Sequence, residues 1–137
     1  MADTLYNAAI LRLKLAGEGA HRLAAPTASA VRVSPVCGSK IIADVMLADG
    51  RITEVALDAA KACTLGQASA AVAAGAAVGA DAAALLATRT ALADFLASRS
   101  ETAPEGWAMF APARPHRARH PSILLPLDAL IAALDAA

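Results

Sequence analysis

Ile41-Ile42-Ala43-Asp44-Val45-Met46-Leu47-Ala48-Asp49-Gly50-Arg51-Ile52-Thr53-Glu54-Val55-Ala56-Leu57 is the stretch that decides the fold. Residues 41–48 and 51–57 read as two alternating runs. In the first, Ile41, Ala43, Val45 and Leu47 share one face and Asp44 lies on the other; in the second, Val55 and Leu57 oppose Glu54. Asp49-Gly50 between them marks a hairpin, because a type I′ turn needs positive φ at both central residues. The two cysteines flank this unit, Cys37 just before its first strand and Cys63 just after its second. An antiparallel hairpin brings its open ends together, so both thiols fall at one end of one sheet.

Working outward, Asp3 or Thr4 caps a first helix with Tyr6, Ile10 and Leu13 on one face, ending near Gly17 and Gly19. A loop with Pro26 leads to a short strand at about 30–33, where Val31 and Val33 alternate with Arg32, and Pro35 ends it. Three antiparallel strands with one apolar face need a helical cover. After the hairpin, one helix is expected from near Cys63 to Ala77. A second is capped by Asp81 and turns Leu85, Leu92, Phe95 and Leu96 inward. Residues 101–120, with Pro104, Pro112, Pro115 and Trp107, read as irregular. A last helix covers about 125–136, with Pro126 in its first turn. The expectation is an α+β fold, a three-stranded antiparallel sheet with helices on one face, as one domain over 1–137.

Bulk composition narrows the function classes. Twelve basic and twelve acidic residues cancel, so no global field favours nucleic acid or an anionic membrane. Apolar residues reach 58% but aromatic ones only 3%, which implies a core of small aliphatic side chains. The uncharged run 62–80 is built of Ala, Gly, Ser, Thr and Gln with few large aliphatics, whereas a membrane span needs roughly 20 strongly apolar residues. It reads as a small-residue helix on the sheet. No export sequence stands at the N-terminus, so the expected compartment is the cytoplasm and a structural disulfide is not expected. No nucleophile triad, phosphate loop or carboxylate pair marks an enzyme.

Cys63 at a helix start sits where the dipole and free N–H groups favour a thiolate. Cys37 precedes Gly38, in a loop where backbone N–H groups can approach a sulfur or metal. His120 joins them if the segment before the last helix folds over the sheet end. Two thiolates and an imidazole suit Zn²⁺ or an iron–sulfur cluster and leave one position open. The bland reading stands beside this one: a buried Cys is commonly a small apolar side chain. His120, near Arg114, His116, Arg117 and Arg119, then reads as a solvated loop residue.

Cys37-Gly38-Ser39, Asp49-Gly50-Arg51-Ile52-Thr53-Glu54-Val55 and Ala62-Cys63-Thr64-Leu65-Gly66-Gln67-Ala68-Ser69, in this order, resemble the U-type iron–sulfur cluster assembly scaffold family (IscU, SufU and the NifU N-terminal domain). Leu5-Tyr6-Asn7 with Ile10 and Leu13 resembles its opening helix, and His120-Pro121-Ser122-Ile123-Leu124 the segment with its third cysteine. The resemblance implies the family's two-layer SufE/NifU-like fold. It also implies a scaffold that is not an enzyme and that binds iron or a cluster through Cys37, Cys63 and His120. A cysteine desulfurase and cluster-acceptor proteins are the implied partners, with a homodimer around a shared cluster as one arrangement. Two departures bear on activity: Ser39 stands at the family's aspartate position and Pro121 at its third cysteine. The alternatives are a SufU-like zinc-holding sulfur acceptor and an interaction module without metal chemistry.

Overall fold

The computed structural model describes residues 5–17, 22–35 and 38–137. Its hairpin forms as its turn residues require, with φ of 54° at Asp49 and 77° at Gly50. Strands β1 (Ala28–Val33), β2 (Lys40–Ala48) and β3 (Arg51–Lys61) form one antiparallel sheet in the order β1-β2-β3. Ala43 faces Leu57 and Val45 faces Val55 across the hairpin. Met46 pairs with Glu54 but Leu47 with Ile52, so Thr53 is an extra residue on β3. This bulge turns Ile52 and Leu57 to the same buried face despite their odd spacing.

Among the described residues four α-helices complete the fold: α1 (Ala8–Gly17), α2 (Thr64–Ala77), α3 (Ala82–Leu96) and α4 (His120–Asp135). Helices α2 and α4 lie on the sheet; α1 packs on α2, and α3 on α4. Ile41, Ala43 and Val45 of β2 meet Leu65, Ala68 and Ala73 of α2 and Ile123, Leu127 and Leu130 of α4 in one core. Each buried Leu or Ile contributes about 2 kcal/mol, whereas the alanines contribute chiefly close approach. Asp81 caps α3 through its carboxylate, which accepts from Ala84 N at 2.9 Å, and Leu85, Leu92, Phe95 and Leu96 are buried as expected. Among the described residues no helix is long and apolar enough to cross a membrane.

Four details differ from the sequence reading. Asn7 caps α1, its Oδ1 accepting from Ile10 N at 3.0 Å, and Tyr6 precedes the helix and is exposed; Asp3, Thr4 and Gly19 lie outside the described residues. Val31 and Val33 face away from the helices and are exposed, while Ala28 turns inward, because β1 pairs Ala28 with Val45. The segment 101–120 holds two 3-10 turns, Ala108–Ala113 and Arg117–Arg119, and its Trp107 is buried.

Helix α4 starts at His120, so Pro126 lies inside it and not in its first turn. Proline has no N–H to return to the carbonyl four residues back. That carbonyl is Ser122's; the neighbouring Ile123 carbonyl accepts from Ser69 Oγ at 2.5 Å, and Ser69 Oγ in turn accepts from Trp107 Nε1 at 3.0 Å.

Asp44 is no ordinary surface acid. Its side chain sits on the sheet's outer face yet is 0% exposed. Arg22 binds it with a two-pronged grip at 2.6 and 3.0 Å, Leu23 N donates at 3.1 Å, and Ser29, directly opposite on β1, donates at 2.5 Å. The Arg22 hydrogen bonds hold its carboxyl below the usual aspartate range, against the opposing effect of burial.

Candidate metal centre

Cys63 occupies the N-cap of α2 in extended conformation (φ −69°, ψ 170°), and its side chain makes no capping hydrogen bond. Ser, Thr, Asp or Asn is the usual choice there, because an oxygen side chain satisfies the first free N–H groups. Here the cap residue is instead held through its backbone. Its N–H donates to Ser39 Oγ at 3.0 Å, and its carbonyl accepts from Gln67 N at 2.9 Å. Cys63 is half-buried and not disulfide-bonded, and its sulfur has no capping role.

Ser39 is itself buried at the end of a tight loop. Gly38 N donates to the Ser34 carbonyl and Ser34 N to the Ser39 carbonyl, both at 2.8 Å, with φ at Gly38 of 74°. Residues 36 and 37, and so the predicted ligand Cys37, lie outside the described residues. Ser39, two positions later, is the described residue that ties this loop to Cys63.

Gly66, one turn into α2, brings the first turn of α4 alongside. A Cβ there would lie 3.5 Å from the Ser122 carbonyl, 3.9 Å from Cys63 Sγ and 3.2 Å from Ala62 Cβ. The sulfur and the start of α4 thus border one small space. An isolated glycine inside a helical pattern, as in Thr64-Leu65-Gly66-Gln67, is the sequence feature that marks such close approach.

His120 opens α4 and is half-buried. Its Nε2 lies 2.9 Å from the Ala113 carbonyl and 3.1 Å from the Arg114 carbonyl. Carbonyl oxygens only accept, so Nε2 is the nitrogen that donates, which leaves Nδ1 as the one able to offer a lone pair to a metal. The sequence reading leaves His120 in the segment before the last helix, whereas it opens that helix; among the described residues no group of three His, Cys, Asp or Glu donors forms.

Charge and polarity at this end break several local rules. Lys40 and Lys61 stand directly opposite each other across β2 and β3, a like-charge pairing that costs stability. Among the described residues, two buried side-chain oxygens without a hydrogen-bond partner, Ser34 Oγ and Gln67 Oε1, belong to the loop before Cys37 and the first turn after Cys63. A groove of about 330 Å³ runs beside it, lined by Arg32, Ser34, Pro35, Pro121, Leu125 and Asp128 among others. The donor chemistry suits a thiophilic metal: an uncommitted thiol and an imidazole whose second nitrogen is already hydrogen-bonded to backbone, as ligating histidines commonly are.

Known structures with this architecture include a nitrogen-fixing NifU-like protein (N-terminal) from Brucella abortus. It is 37% identical, with 96% of this chain and 93% of that chain covered and a TM-score of 0.88. The chain belongs to the U-type iron–sulfur cluster assembly scaffold family. A SufU chain from Fervidobacterium islandicum AW-1, described as an iron–sulfur cluster assembly scaffold protein for the SUF system, shares the fold. Its TM-score is 0.85 at 17% identity, with 95% of this chain and 96% of that chain covered. No family sequence model and no curated protein sequence matches the chain.

Proposed function

We propose that this chain, as one NifU N-terminal-like domain, is a scaffold that holds iron or an iron–sulfur cluster as cargo through Cys63, Cys37 and His120. The observation that carries the reading is Cys63: a helix cap whose sulfur caps nothing and faces the first turn of α4 across Gly66. A side chain kept at a position it serves poorly in structural terms is one kept for its chemistry. Membership of the scaffold family supplies the cargo class. The cluster arrives and leaves, so the protein has no turnover of its own; a cysteine desulfurase and cluster acceptors are its expected partners, in the cytoplasm.

Three protein donors leave one coordination position open, which suits cargo that is passed on. The test is anaerobic reconstitution with iron and sulfide. The expected result is a visible sulfur-to-iron charge-transfer band in the wild type that is absent from Cys63→Ser and from Cys37→Ser. A colourless wild-type protein overturns the cluster reading.

The zinc-holding alternative rests on the same thiol-and-imidazole donors, which match zinc equally well. Elemental analysis of protein purified without added metal separates the two: about one equivalent of zinc favours the sulfur-acceptor role, and iron with sulfide favours the scaffold.

A further inference from the structure

We propose that Arg114 is a positioning residue for His120, fixing which ring nitrogen is offered to a metal. The guanidinium of Arg114 is spread over three anchors. Its Nε donates to the Phe95 carbonyl at 2.8 Å and its Nη2 to the Ser100 carbonyl at 3.0 Å. Nη1 and Nη2 reach Glu101 Oε1 and Oε2 at 3.1 and 3.0 Å. The group also lies over the Phe95 ring, 4.6 Å from its centroid. One side chain thus ties the end of α3 and the loop after it to the backbone at 114.

That backbone faces the imidazole. The carbonyls of Ala113 and Arg114 converge on the same nitrogen of His120. Two acceptors on Nε2 select one tautomer and one ring orientation, and so leave Nδ1 as the nitrogen available to a metal. The Ala113 carbonyl also accepts from His116 N at 2.9 Å and Arg114 N donates to the Ala111 carbonyl at 3.0 Å, so backbone bonds share in shaping this turn, although Pro112 and Pro115 have no N–H to contribute. The Arg114 side chain fastens this turn to the end of α3 and the loop after it, and Arg with its planar fork of five donors suits three separate acceptors. Lysine, a point donor, cannot span them.

The metal-binding half of this proposal rests on His120 being a ligand; the tautomer half does not. Nitrogen-15 NMR of the metal-free protein, labelled at histidine, reads the ring directly. The wild type is expected to show His120 protonated at Nε2 alone, and Arg114→Met and Arg114→Lys to show a mixture of the two tautomers. Glu101→Gln, which leaves the bonds to Phe95 and Ser100 in place, is expected to keep the wild-type pattern. Zinc affinity, measured by chelator competition, is expected to fall 10- to 100-fold in both Arg114 variants, the usual range for losing an outer partner of a ligating histidine.

A pure Nε2–H tautomer in folded Arg114→Lys overturns the proposal. So does a fall in zinc affinity in Arg114→Met without one in His120→Ala, because Arg114 would then act by some route other than the ring. Unchanged affinity in His120→Ala together with the expected tautomer mixture is a different failure. It removes His120 from the ligand set while leaving Arg114 as what orients the imidazole.

Discussion

The two ends of the hairpin are built to different standards. At the turn, each local rule is obeyed: Asp49 and Gly50 take positive φ, and the link from α2 to α3 closes on β3. There Gly79 N donates to the Ile52 carbonyl at 2.7 Å and Ile52 N to the Ala80 carbonyl at 2.9 Å. At the open end the rules fail together. A cysteine caps a helix without capping it, two lysines face each other, and two buried oxygens lack partners. Such grouped departures from the local rules support the proposed function, which puts the chemistry at this end.

The largest expected effect comes from cutting the sheet between these ends. Asp44→Ala removes the anchor of Arg22, Ser29 and Leu23 N, and is expected to lower stability by about 3 kcal/mol in urea unfolding. Because the folded carboxyl titrates below its unfolded value, its contribution is complete above roughly pH 4 and fades as pH falls through the lower, folded value. The gap between wild type and Asp44→Asn should therefore narrow on acidification. A gap constant from pH 6 to pH 2 would contradict the buried pairing.

Next in size is the packing at the open end. Gly66→Val forces a branched side chain between Ala62, Cys63 and Ser122, and is expected to cost about 2 kcal/mol and to weaken zinc binding. Chelator competition and thermal unfolding on the same preparation check both halves. An unchanged zinc affinity would show that α4 need not approach α2 for the site to work.

The smallest effect has the opposite sign and sharpens the contrast most. Cys63→Ser supplies the missing cap oxygen and is expected to raise stability by up to about 1 kcal/mol while abolishing metal uptake. A destabilised Cys63→Ser that still bound zinc would reverse the assignment of this end.

Much of the turn end was legible in the sequence. Asp49-Gly50, the Asp81 cap and the Leu85–Leu96 stripe each depend on neighbours a few positions away, so local chemistry suffices. Cys63 at a helix start was legible for the same reason. The start of α4 was not, because Pro126 reads as a first-turn residue, whereas the helix begins at His120 with Pro121 in its first turn and runs on past Pro126. The burial of Asp44 was hidden because its cover comes from residues 22 and 23, a stretch without periodicity. The partners of His120 are main-chain carbonyls, which leave no trace in residue identity.

Alanine dominates the buried stripe of α2, at Ala68, Ala70, Ala73 and Ala77. An alanine side chain has no rotamers to freeze, so ordering this helix costs backbone entropy and almost nothing more. The sulfur at its head is therefore mounted on a support whose stiffness comes from the main chain. On the proposed function, cargo would then come and go at that end without a wave of side-chain rearrangement passing into the interior.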